Sequence, residues 1–338
     1  MAGAPVGGAE SFFLDALTAL QETGKVQQQV VTRANNPDRL HHLETLNIPC
    51  RTASFNRHVP CATQQTLRRA LNTFCPDIAH YWLGRAASFA QEKGSHVNVG
   101  WYGAYYHPKY YKHCRHHIAV TQDVADHIIS HGIAAKYVHV LHLYSDCPEA
   151  PPLDRAAFDT PDDAPLLLSL ARLHPVKGLD TLLKALVKIP EAYLWLAGSG
   201  PLERDLKQLC TDLGLDGRVR FLGWRQDRAA LLATADLCVF PSRNDSFGAV
   251  MLEAWASRTP LVATKAPGPR AYIRDGETGL LVEIDDVDAL AEAVSRVLTD
   301  SSLRQTLIEG GVRTYRENFT KEVFKTNILS LYDQILRE

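Results

Sequence analysis

Apolar positions along the chain follow two periods in turn. From Glu10 to Gly24, Phe13, Leu17 and Leu20 recur at helical spacing and Gly24 supplies a C′ stop, which predicts a helix. Short apolar or β-branched runs follow at Val30–Thr32, Ile78–Tyr81, Val97–Trp101, Ile118–Val120 and Val138–Leu141, separated by helical patterns. Strands alternating with helices imply parallel pairing with crossover helices. Ser145 to Pro165 interrupts the pattern with five prolines among acidic residues. Proline fixes φ and lacks a donor, so the stretch reads as an exposed linker.

Beyond it the alternation is cleaner. Strands are expected at Leu166–Ala171, Tyr193–Ala197, Val219–Leu222, Leu237–Phe240, Leu261–Thr264 and Gly279–Val282. Helices are expected at Leu179–Val187, Leu202–Leu213, Arg228–Ala233, through Glu253, and from Val287 to Leu298. At the end, Phe324, Ile328, Leu331 and Ile335 form an apolar stripe that needs a surface to bury against. The expected fold class is α/β, with two doubly wound Rossmann-like domains and a ligand cleft at the strand carboxyl ends. The expected boundaries are 1–150, a linker at 151–165, 166–317, and a terminal helix over 318–338 that packs back on the N-terminal domain.

Composition narrows the function. The 338 residues carry 36 Lys and Arg against 38 Asp and Glu, a net charge of −2, which gives no electrostatic case for nucleic acid. No run of about 18 apolar residues is present to span a bilayer. No basic segment leads into an apolar one near Met1, so no signal peptide is expected. Seven scattered cysteines without a CxxC pair fit a reduced, cytoplasmic setting. Of 14 histidines, all but His174 lie at or before His142, so the two halves differ chemically.

Four loops at predicted strand ends carry candidate chemistry. Gly7-Gly8-Ala9-Glu10 precedes the first helix, where glycines let backbone approach an anion; a plain loop-to-helix turn explains it equally. Arg172 and Lys177 lie five apart after strand 166–171, spaced to clamp a diphosphate or simply solvated. Gly198-Ser199-Gly200-Pro201 is a glycine turn feeding a helix, short of a GxGxxG fingerprint. In PSRNDSFGAVMLEAWA (241–256), Asp245 lies in a loop and Glu253 about two turns into a helix. Amides near Phe247, Gly248 and Ala249 are expected to act as anion donors, and the Glu253 carboxylate to match the vicinal diol of a ribose. A surface loop with a helical salt bridge is the alternative.

Residues 166–299 resemble the donor domain of the family 4 retaining glycosyltransferases. RLxPxKG, GxGP, RVRFLGW, ADLCVFPS, FGxxxLEAWA and DGETGLLV occur in that family's order, and GGAE resembles its first loop. WYGAYYHPKYYKHC is similar to a bacterial subgroup tied to lipopolysaccharide or related glycan assembly. A metal-independent transfer is expected, with Arg172 and Lys177 in place of a cation, and the resemblance implies two facing Rossmann domains (the B-type glycosyltransferase fold) and a retaining transfer of a hexose from a nucleotide-diphosphate sugar to a glycan or lipid-linked acceptor. It implies a catalytic set of Arg172, Lys177, Asp245 and Glu253. Arg172 and Lys177 hold the diphosphate, Glu253 the ribose, and Asp245 the transferred sugar or phosphates. Gly7, Gly8, Gly198, Gly200, Phe247, Gly248 and Ala249 line the donor, with Trp224 and Arg225 near the base. The acceptor-side candidates are Gly103, His107 and Lys109. No cofactor, metal or nucleic-acid partner is expected.

Three positions depart from the family pattern. Asp245 stands where the family has Glu, shorter by one methylene, about 1.5 Å. Tyr102-Gly103-Ala104 stands where the family often has a catalytic histidine, with His107 nearby but shifted. GGAE begins too close to Met1 to leave room for a full first strand. A catalytically inert nucleotide or glycan binder is therefore one alternative, and a sugar-nucleotide epimerase another.

His113, Cys114, His116 and His117 also offer a zinc reading, with His113 and His117 sharing a helix face, but no second ligand pair supports it. With Lys109, Lys112, Arg115 and four tyrosines, the same stretch reads as a basic, aromatic surface. Such a surface suits an anionic lipid-linked acceptor and peripheral contact with the cytoplasmic face of the inner membrane, or is a solvated helix face. Asp286-Val287-Asp288 matches a metal-binding DxD, yet its place at a helix start favours capping.

Overall fold

The computed structural model describes residues 1–5 and 7–338, which form two compact units. One comprises Met1–Leu143 with Lys321–Glu338, the other Tyr144–Thr320. Among the described residues no helix is long and apolar enough to cross a membrane.

The first unit holds α1 (Gly8–Glu22), β1 (Val30–Thr32), α2 (Pro37–Thr45), β2 (Cys50–Thr52), α3 (Pro60–Phe74), β3 (Ile78–Trp82), α4 (Leu83–Ala87), β4 (Val97–Tyr102), β5 (His116–Ala119), α5 (Gln122–Ser130) and β6 (Val138–Val140). All pairings are parallel, but they form two separate ladders, β1-β2 and β3-β4-β5-β6, rather than one doubly wound sheet. The core is aromatic. Trp82 and Trp101 stack at 4.4 Å, Phe12 stacks on Trp101 at 5.8 Å, and Phe324 meets Phe12 edge-on at 5.4 Å. Phe324 belongs to α13 (Lys321–Arg337), whose stripe of Phe324, Ile328, Leu331 and Ile335 is buried throughout.

The helical reading of His113–His117 is corrected. His116 and His117 lie on β5, buried between β4 and β6. Successive strand residues point to opposite faces. The His116 Nδ1 therefore meets His139 at 3.0 Å, while the His117 Nδ1 meets the Tyr102 hydroxyl at 3.0 Å.

The second unit holds β7 (Leu166–Leu170), α6 (Leu179–Val187), β8 (Tyr193–Ala197), α7 (Glu203–Asp212), β9 (Val219–Gly223), α8 (Arg228–Thr234), β10 (Leu237–Phe240), α9 (Ala249–Ala256), β11 (Leu261–Thr264), α10 (Pro267–Tyr272), β12 (Leu280–Val282), α11 (Val287–Thr299) and α12 (Ser301–Asn318). Its sheet is parallel throughout, in the order β12-β11-β10-β7-β8-β9. The chain winds outward from β7 to β9, then crosses back to β10 on the other side of β7. The carboxyl ends of β7 and β10 are thus the switch point where ligands of such sheets bind.

The proline-rich segment is exposed at many positions but strapped to this unit. Arg155 donates to the Thr234 carbonyl at 2.7 Å and to Asp236 at 3.1 Å, and the Trp195 indole donates to Thr160 at 2.9 Å. Asp286 caps α11 by accepting from the Ala289 amide at 2.9 Å, and Asp288 pairs with Lys188.

Candidate active site of the second unit

Backbone contacts lace the loops at the carboxyl ends of β7, β8 and β10 together. The Leu173 amide donates to the Ser199 carbonyl at 3.0 Å and the Leu202 amide to the Leu173 carbonyl at 3.0 Å. A Cβ at Gly198 would lie 1.9 Å from the Ala171 carbonyl oxygen, and one at Gly200 2.4 Å from that of Leu173. These two glycines therefore exist for close backbone approach. Gly178 ends a 3₁₀ turn at φ +61°, and a Cβ there would lie 2.1 Å from the Pro241 carbonyl oxygen. The Arg243 amide donates to the Val176 carbonyl at 2.8 Å.

This lacing brings Lys177, on the β7 loop, to Asp245, on the β10 loop. The Lys177 Nζ lies 2.5 Å from Asp245 Oδ2, with both side chains largely buried, and 5.6 Å above the Phe240 ring. Asp245 Oδ1 accepts from the Phe247 amide at 3.2 Å and the Gly248 amide at 2.8 Å. The expectation that these two amides serve an external anion is corrected, because Asp245 takes them. A short carboxylate bonds readily to amides two and three residues on, which is how Asp caps helices. Gly248, at φ +84°, then turns the chain into α9. Arg172 is exposed on the β7 loop, its guanidinium without a hydrogen-bond or ion-pair partner among the described residues.

Glu253 projects from α9 and is buried at 2% exposure. Arg228, the first residue of α8, donates to its Oε1. Cys238, on β10, is pushed up to about 12 by burial and by the Glu253 charge. Trp224 is exposed at 65%, while Arg225 bridges Asp227 at 2.8 and 2.5 Å and lies over Phe158.

Arg228 and Arg243 escaped the sequence reading. Arg243 donates to the Pro175 carbonyl at 2.7 Å, to Asp180 at 2.8 Å and to both oxygens of Asp285 at 2.8 and 2.9 Å. Those hydrogen bonds raise its pKa and lower that of Asp285. Burial pushes the Asp180 carboxyl up, but Arg243 outweighs it and the net shift is downward. For Arg243 the only signal the sequence offered was an arginine directly after Pro241-Ser242.

The remaining candidates lie in the first unit. Gly8 opens α1, and a Cβ there would meet nothing within 4 Å, whereas one at Gly7 would lie 2.4 Å from a Glu10 carboxylate oxygen. Gly103 follows β4. His107 is exposed; its Nδ1 accepts from the Lys109 amide at 3.1 Å and its ring meets His131 at 4.9 Å. Lys109 lies 5.3 Å above Tyr110, and Arg57 approaches the same ring at 4.9 Å. Among the described residues, no group of three His, Cys, Asp or Glu side chains converges to hold a metal ion.

Residues 152–314 match the family described as Glycosyl transferases group 1. Over 96% of this chain and 95% of the relative, the sequence is 33% identical to the lipopolysaccharide core biosynthesis glycosyltransferase LpsE of Rhizobium meliloti (strain 1021). The chain belongs to the glycosyl transferases group 1 family. This glycosyltransferase is also 30% identical, over 97% of its length, to LpsD of the same organism, another lipopolysaccharide core biosynthesis glycosyltransferase. Its fold is that of two-domain B-type glycosyltransferases. It superposes on Anabaena Alr3699/HepE in complex with UDP at a TM-score of 0.87, with 20% identity and 98% of both chains covered. It superposes on the lipopolysaccharide outer core galactosyltransferase WaaB at 0.80, with 17% identity and 98% of both chains covered.

Proposed function

We propose that this glycosyltransferase moves a hexose from a UDP-linked donor to an anionic glycan or lipid-linked acceptor of lipopolysaccharide core assembly, with retention and without a metal. The observation that carries the reading is the Lys177–Asp245 pair at the β7/β10 switch point. Loss of the nucleotide diphosphate breaks the bond from the sugar C1 to the leaving phosphate oxygen, on which negative charge grows. Lys177, held by Asp245, supplies fixed positive charge to that oxygen and the exposed Arg172 a second one, a role that needs no cation. The acceptor hydroxyl oxygen bonds to C1 on the same face, and its proton passes to the departing phosphate. Glu253 accepts the two ribose hydroxyls. UDP is favoured over GDP by the nucleotide bound in the structural relative, and the acceptor class by the two Rhizobium relatives.

Lys109 and Arg57, gathered around Tyr110, with His107 bonded to the Lys109 amide, support the acceptor side of the reading. Such a basic, aromatic surface suits phosphorylated or acidic acceptors at the cytoplasmic face of the inner membrane.

The test is transfer from a panel of UDP- and GDP-linked hexoses to truncated lipopolysaccharide cores. The expected result is a product from a UDP-hexose that forms equally in EDTA and keeps the donor's anomeric configuration. Nucleotide binding without transfer would favour the inert binder instead, and activity abolished by EDTA would end the metal-free reading. Charge reversal at Lys109 and Lys112 should weaken acceptor and anionic-liposome binding; unchanged values would remove the membrane part.

A further inference from the structure

We infer that Arg228 is a positioning residue for the donor ribose: its guanidinium keeps the buried Glu253 carboxylate ionised and holds it in the orientation that meets the diol. The inference rests on the reading of Glu253 as the ribose-binding group.

Glu253 stands on a helix whose other residues, Ala249–Ala256, carry no charge. Its side chain is 3% exposed, whereas the Arg228 side chain is 53% exposed. Removing a carboxylate from water favours its neutral form unless a cation or donors compensate. Arg228 compensates directly through its bond to Oε1. Two thiols also lie close to this carboxylate. Cys238 lies beneath it on β10, and Cys147, bonded to Ser257 at 3.4 Å, approaches from the segment entering the unit, with Asp146 beside it. Burial raises both thiols, so they are neutral near pH 7 and add no compensating charge.

The protonation state matters to the ligand. An ionised carboxylate offers two acceptor oxygens to a vicinal diol, whereas a protonated one spends an oxygen as a hydroxyl and grips only half of it. Arg228 therefore acts through Glu253 rather than on the sugar. Because Arg228 is half-exposed, solvent reaches the pair from the arginine side, while α9 fixes the backbone of the glutamate and Arg228 its carboxylate. Glu253 alone gains from the contact in both charge and orientation.

The experiment compares Arg228→Met, Arg228→Lys and Glu253→Gln by calorimetric titration of UDP and GDP between pH 5.5 and 9. Whichever nucleotide the wild type binds is carried through, and donor KM and kcat are measured with its sugar. Arg228→Met should weaken nucleotide binding about tenfold or more near pH 6, as expected for loss of a charge-assisted contact. The deficit should shrink as pH rises and Glu253 ionises unaided. Donor KM should rise while kcat at saturating donor changes by less than about threefold, because the contact is equal in ground and transition states. Arg228→Lys should restore part of the affinity, and Glu253→Gln should lose affinity with no pH dependence of its own.

Wild-type-like affinity in Arg228→Met overturns the inference, as does a loss that stays constant across the pH range, which a merely structural arginine would give. If Arg228→Met does not fold, Arg228→Gln takes its place, with a deficit that shrinks as pH rises counting for the inference and a constant deficit or wild-type-like affinity against it. Unchanged affinity in Glu253→Gln sinks the ribose reading itself. A weakened Glu253→Gln beside an unaffected Arg228→Met sinks only the role of Arg228.

Discussion

Lys177 and Asp245, 68 residues apart in the chain, meet at 2.5 Å because β7 and β10 are neighbours in the sheet. Each loop alone would hold a solvated charge. Together, and with the Phe247 and Gly248 amides on the second carboxylate oxygen, they form a preset polar centre. Lys177→Ala should lower turnover by about 10²-fold or more. Steady-state kinetics with a nucleotide sugar checks it. Asp245→Glu, although it restores the family's residue, should also lose about tenfold, because an extra methylene displaces a lysine already in contact.

Gly178→Ala tests the lacing beneath that centre. The substitution demands φ +61° of an L-residue and drives a methyl to 2.1 Å from the Pro241 carbonyl oxygen. The expected cost is about 2 kcal/mol or more, read as a lower urea midpoint, with loss of activity because Lys177 adjoins the glycine.

Arg243 spans the β7 loop, α6 and the turn before α11 through four acceptor groups, Pro175, Asp180, Thr181 and Asp285. A lysine cannot reproduce that fork. Arg243→Lys should cost about 1–3 kcal/mol of stability and reduce kcat more than donor affinity. Since Arg243 holds the Asp285 and Asp180 carboxyls below their usual range, their share of stability is present above about pH 4 and is lost as pH falls through the lowered values. Arg243→Lys should soften that acid limb in denaturation measured at successive pH values.

The first unit should lose stability at milder acidity. Burial lowers His80 from 6.5 to about 3 and His117 to about 4. For a histidine whose folded pKa is depressed, the unfolded chain binds protons first. Stability is therefore full above about pH 6.5 and declines as pH falls toward the folded values, by up to about 1.4 kcal/mol per pH unit per histidine. His80→Phe keeps a ring against Trp82 and Trp101 but leaves the Tyr332 hydroxyl without its 2.9 Å partner. The variant should be less stable at pH 7 yet show a shallower decline between pH 6.5 and 4. Urea midpoints followed by tryptophan fluorescence measure both.

The chain's own order determined the α/β class, nearly every strand of the second unit and the position of each candidate loop. Buried parallel strands are short apolar runs, and loops at their ends advertise themselves through glycine, proline and charge. The apolar stripe of the last helix was equally legible, because Phe324, Ile328, Leu331 and Ile335 repeat at one helical face. The fate of polar groups was not legible. Whether the Phe247 and Gly248 amides face a ligand or Asp245, whether Glu253 is held by Arg228, and whether His117 rides a helix or a strand all depend on neighbours remote in sequence. Hydrophobic periodicity is a local property that one segment carries alone. Hydrogen bonds and ion pairs are satisfied by whatever the sheet order brings within about 3 Å, and only the folded chain fixes that choice.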